Sequence, residues 1–107
     1  MWALGNTEVL VLVELWMEHS EALFPKGYGG KDVNGICVTY LDSNAVGCIH
    51  SYMKNNTNNI SLEHHQILQK SRDDLASILK YLDDEPLQYF SRLHDICSLI
   101  IVEASIT

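Results

Sequence analysis

Basic residues are scarce. The 107-residue chain carries seven Lys and Arg against fourteen Asp and Glu, a formal charge of −7 at pH 7. That shortage weighs against a nucleic-acid partner, because phosphate binding draws on a basic surface, and equally against an anionic membrane. It leaves room for a basic protein partner, whose approach the field would speed, and for plain solubility. Cysteine is sparse too. Cys37, Cys48 and Cys97 are an odd set with no CxxC spacing, so a disulfide framework is not expected and reduced thiols in a cytoplasm are. A long uncharged apolar run is missing as well. The stretch MWALGNTEVLVLVELWMEH is interrupted by Glu8 and Glu14 and lacks a basic flank, so it reads neither as a membrane span nor as a signal peptide.

Motifs of catalysis are absent. The glycine-rich PKGYGGKDVNG at 25–35 fits neither GxxxxGK[ST] nor GxGxxG, and it reads as a connector or a flexible contact loop. Glu63-His64-His65 invites a zinc reading, but neighbouring helical side chains point about 100° apart. Leu68 and Gln69 stand where a second ligand is needed. A site would require His65, His94 and Cys97 to converge, whereas the plainer expectation packs His65 and Cys97 in or near the core. Cys48 and His50 lie on different sides of a helix, and no GxSxG or Ser–His–Asp arrangement is visible. No catalytic residue, metal or cofactor is therefore expected.

What the chain does have is an ordinary globular composition, 47% hydrophobic and 20% charged, in a length that suits one domain over 1–107 with a small core. Residues 7–24 carry Leu15, Trp16, His19, Leu23 and Phe24 at helical spacing. Val9, Val11 and Val13 alternate like a strand, but the length favours a helix capped by Thr7. ICVTYL at 36–41 is ambiguous between strand and helix, with helix favoured. A helix is then expected from Asp42 or Ser43 as cap, with Ala45, Val46, Ile49, Tyr52 and Met53 inward. Ser61 caps a third helix over 61–83. Leu87, Phe90, Leu93, Cys97, Ile100 and Ala104 mark a fourth. The short break between the last two predicts an antiparallel hairpin. The expected fold is all-α, four or five helices with a C-terminal helical hairpin.

Two acidic groups stand out. Glu14, Glu18 and Glu21 share one helix face without a basic residue at i+4, at a cost of a few tenths of a kcal/mol per pair, which points to a partner elsewhere in this chain or in another. Asp83, Asp84 and Glu85 precede Pro86 in YLDDEPLQYF. Pro86 suits a first helical turn, Asp84 or Glu85 can cap it, and carboxylates there meet the positive end of the helix dipole. Tyr28 and Tyr81 are candidate aromatic anchors for a contact.

The segments VTYLDSNAVGCIHSYMKN and YLDDEPLQYFSRLHDICSLI, separated by a long helix, resemble small acidic helical proteins encoded beside bacterial toxins. More narrowly, the pattern over residues 36–102 is similar to immunity proteins of contact-dependent growth inhibition systems. The resemblance implies tight stoichiometric binding to a cognate toxin domain, commonly a basic nuclease, in the cytoplasm. That family shares no common binding site, so no residue is carried over. The expected function is toxin neutralisation by protein–protein contact. The alternative is a small cytosolic scaffold or self-associating helical domain without catalytic activity, and a homo-oligomer is compatible with either.

Overall fold

The computed structural model describes residues 6–55 and 57–107. Four helices run through them: α1 (Asn6–Glu21), α2 (Val38–Asn55), α3 (Leu62–Leu79) and α4 (Asp84–Glu103). Four two-residue strands accompany them: β1 (Asp32–Val33), β2 (Ile36–Cys37), β3 (Asn59–Ile60) and β4 (Ser105–Ile106). The fold is the expected small helical domain, and the extensive α3–α4 contact is the expected C-terminal hairpin.

The fourth helix is the hub. It packs against α1, α2 and α3 and buries Tyr89, Phe90, Leu93, Ile96, Cys97, Ile100 and Glu103. Around it close Leu12 of α1, Val38, Leu41, Ala45 and Ile49 of α2, and Leu68, Leu75 and Ile78 of α3. Each large apolar side chain so enclosed contributes about 1.5–3 kcal/mol relative to exposure. Tyr52 of α2 is buried, and burial raises its hydroxyl pKa above the usual phenol value; the charge of Glu103 and a hydrogen bond to it raise it further. That pair ties α2 to the end of α4.

Several helix boundaries differ from expectation. α2 begins at Val38, so Asp42 and Ser43 lie inside it and cap nothing. The loop supplies an acceptor for the first helical N–H, Val38 N donating to Lys31 O at 3.1 Å, and the Thr39 hydroxyl ties the loop back by accepting from Gly30 N at 2.8 Å. Ile36-Cys37 is strand rather than helix. It pairs with Asp32-Val33 across Asn34-Gly35, both of which have positive φ, +50° and +77°, the backbone of a tight two-residue hairpin turn. Residues 9–13 are helical, and Thr7 sits within α1 rather than before it.

Ser61 does cap α3, its side chain accepting from His64 N at 3.1 Å. α3 stops at Leu79 rather than 83; the chain then turns through Tyr81 and Leu82, whose N–H groups donate to Ile78 O and Leu79 O. Asp83 is the cap residue of α4 and its side chain makes no capping hydrogen bond, while Asp84 and Glu85 fall in the first turn of the helix. The carboxylates favour the helix through its dipole, not as hydrogen-bonding caps. Asp84 carries φ +52°, a left-handed conformation that Asp tolerates better than most residues. At the far end, β4 runs parallel to β3, with Ser105 N donating to Asn58 O and Thr107 N to Ile60 O.

Candidate binding surface

Each residue of an α-helix advances about 100° around its axis. Leu12 and His19, seven residues apart, therefore share the inward side of α1, and both are buried. The opposite side carries Leu10, Glu14, Met17 and Glu21, spaced i, i+4, i+7, i+11, with Val11 and Glu18 flanking them. All six are exposed, Leu10 and Met17 at 61% and 60%. A depression of about 420 Å³ is lined there by Val11, Glu14, Leu15, Met17 and Glu18. The glutamate stripe is thus interlaced with apolar side chains.

A larger groove of about 660 Å³ lies where the end of α1 and its following loop meet the start of α4. Phe24, Pro25 and Tyr89 give it apolar walls, and Lys26, Glu85 and Arg92 charge its rim. Arg92 explains part of the stripe. Its Nη1 lies 3.8 Å from Glu18 Oε1, so one of the three glutamates has a basic neighbour within the chain, at a distance and exposure where the attraction is modest. Through Arg92 and Glu85, one end of the stripe and the acidic turn border the same groove. Asp83 and Asp84 are exposed beside it. Tyr81 is 56% exposed near the turn, with Lys80 Nζ 5.4 Å from its ring centroid. Tyr28 is only half-exposed; it packs against the core and is covered by Lys31 Nζ at 4.5 Å, which removes much of the free face an anchor would offer. Neither tyrosine lines the groove.

Beneath the groove is a polar network. Arg92 Nε donates to His19 Nδ1 at 3.0 Å. Burial and the Arg92 charge lower the His19 pKa to about 4, so the ring is neutral at pH 7 and its hydrogen sits on Nε2. Among the described residues that buried Nε2 meets no hydrogen-bond partner. The His19 ring lies 4.4 Å from that of Tyr89, and Tyr89 Oη donates to Asp42 Oδ1 at 2.7 Å. Burial raises the Asp42 pKa, and the Tyr89 hydrogen bond offsets part of that rise. Phe24 meets Tyr89 and Phe90 edge-on. Four elements are locked together here: α1, the following loop, α2 and α4.

Cys97 is buried, and burial followed by nearby Cys48 pushes its thiol up to about 12, the range of an inert core cysteine. His65 is half-buried, its Nε2 3.4 Å from Ile101 O. No group of three or more His, Cys, Asp or Glu is placed to hold a metal ion among the described residues. Sequence reasoning found the glutamates and missed Leu10, Met17, Asp42 and Arg92. The i, i+7 repeats Leu10–Met17 and Glu14–Glu21 were the available signal for the first two. No family model matches the chain, and neither curated proteins nor solved structures give a match.

Proposed function

We propose that this chain is a small cytosolic scaffold-type domain without catalytic activity, which engages another protein through the outer face of α1. The observation that supports it is the exposure of Leu10, Val11 and Met17 among Glu14, Glu18 and Glu21, on a helix whose inward side already packs on α4. Apolar side chains clustered on one helix face and rimmed by charge have the composition of a contact surface. The groove holding Arg92 and Glu85 extends that surface to the start of α4. The experiment compares the tagged full chain with a Leu10→Asp/Met17→Asp variant, both changes being on exposed positions. A protein recovered in fixed stoichiometry with the first and lost from the second, at equal helicity, is the expected result. Equal recoveries from the two chains contradict the reading.

A second reading is toxin neutralisation, and the charge distribution favours it: the net −7 and the acidic α1 face complement a basic nuclease domain. Stoichiometric contact through α1 would then cover part of that domain. Co-expression with a toxin encoded beside this chain tests it; growth rescue by the native chain and none by the Leu10→Asp/Met17→Asp variant is the expected pair of outcomes, and rescue by both removes α1 from the mechanism.

A further inference from the structure

Resting on the interaction reading, the geometry points to the occupant of α1: we propose that the outer face seats a basic amphipathic helix of another protein, with apolar side chains over Leu10 and Met17 and Lys or Arg over Glu14 and Glu21.

The spacing i, i+4, i+7, i+11 is that of the alternating core positions of a two-helix seam, filled here by an apolar residue and a glutamate in turn. Leu10 and Met17 take one set of seam positions and Glu14 and Glu21 the other, and all four are exposed. A second copy of the chain fits this seam poorly. Parallel pairing sets Glu against Glu; antiparallel pairing buries Glu14 and Glu21 against Leu10 and Met17 without a cation. Either arrangement desolvates carboxylates uncompensated. Arg92 is beside Glu18 at 3.8 Å, off the seam, and its side chain is only 15% exposed. Charge complementarity therefore selects a partner bearing basic residues where this helix bears acidic ones. Val11 and Glu18 flank the seam on one side, so a partner with a further basic residue there gains a rim contact.

The test uses the full chain and two designed 21-residue helical peptides. One carries Leu and Lys at the alternating seam positions, the other Leu and Glu. Fluorescence anisotropy at low and at physiological salt gives the affinities. Binding of the lysine peptide, weakening with salt, is expected, with the glutamate peptide at least roughly tenfold weaker. Glu14→Lys/Glu21→Lys should invert that preference. Should this variant lose helicity, Glu14→Gln/Glu21→Gln takes its place, and it should bring the two peptides to comparable affinity. Equal binding of both peptides to the native chain, or no binding of the lysine peptide, overturns the proposal. So does sedimentation as a dimer that Met17→Glu dissociates, since the occupant would then be a second copy. The outcomes separate from those of the interaction reading: if Leu10→Asp/Met17→Asp still abolishes recovery of a partner while the peptides bind equally, the interaction stands and the basic-helix proposal falls.

Discussion

Replacing Tyr89 with Phe removes one oxygen and leaves the ring. The aromatic contacts to His19, Phe24 and Phe90 are retained, so the loss isolates the 2.7 Å hydrogen bond to Asp42. Burial raises the Asp42 pKa above 3.8 in the fold. An acid with a raised folded pKa is more stable there in its neutral form, so ionising it costs stability as the pH rises above 3.8. The Tyr89 hydroxyl offsets part of that cost. A hydrogen bond to a charged group is worth roughly 1.5–3 kcal/mol, against about 1 kcal/mol between neutral groups. Unfolding entropy near the midpoint is roughly 0.2 kcal/mol/K for a chain of this length, so about 2 kcal/mol lowers Tm by roughly 9 °C. Asp42→Asn keeps an acceptor and removes the charge, and it should leave stability at pH 7 unchanged or raise it. In the Asp42→Asn background, Tyr89→Phe should lower Tm by only roughly 4 °C. Thermal and urea unfolding at pH 7, followed by circular dichroism, measure all four chains. A shift under about 2 °C for Tyr89→Phe alone, or the same loss in both backgrounds, would mean that the hydroxyl does not stabilise an ionised Asp42.

Other outcomes follow from the same packing. The His19 pKa of about 4 lies below its ordinary 6.5, so the fold favours the neutral ring; stability present above pH 6.5 is lost as the pH falls towards 4, by roughly 3 kcal/mol in all. His19→Gln should flatten urea midpoints across that window. Arg92→Met removes a charge that lowers the His19 pKa, and NMR titration should find that pKa closer to 6.5. Phe90→Ala empties a fully buried position and should cost about 3–5 kcal/mol, read from the urea midpoint. Gly35→Ala forces a side chain onto φ +77° and should cost about 1–2 kcal/mol by the same assay.

The two long C-terminal helices were legible because their apolar stripes repeat over many turns and Ser61 offers a local cap. Their packing was legible in turn, since a short break leaves few arrangements. The start of α2 was misread for a different reason. Asp42 looks like a cap in isolation, but its carboxylate meets Tyr89, 47 residues away, and the helix begins earlier, where Lys31 O accepts from Val38 N and the Thr39 hydroxyl accepts from Gly30 N. Asn34-Gly35 carried a hairpin signal, but its strands are two residues each, too short for alternation to register. The glutamate stripe was visible as repulsion along one face. Its Arg92 neighbour, and the His19–Arg92 bond spanning 73 residues, belong to tertiary contact, which periodicity does not encode.

The claim that α1 presents a protein contact is tested most directly by a photo-crosslinking amino acid at position 17 in cells, with position 76, an exposed site on α3, as the control. A discrete protein adduct from position 17, none from position 76, and loss of the first when Glu14 and Glu21 are both changed to Lys are the expected results. Adducts of equal yield from both positions, or none from position 17, would contradict that claim.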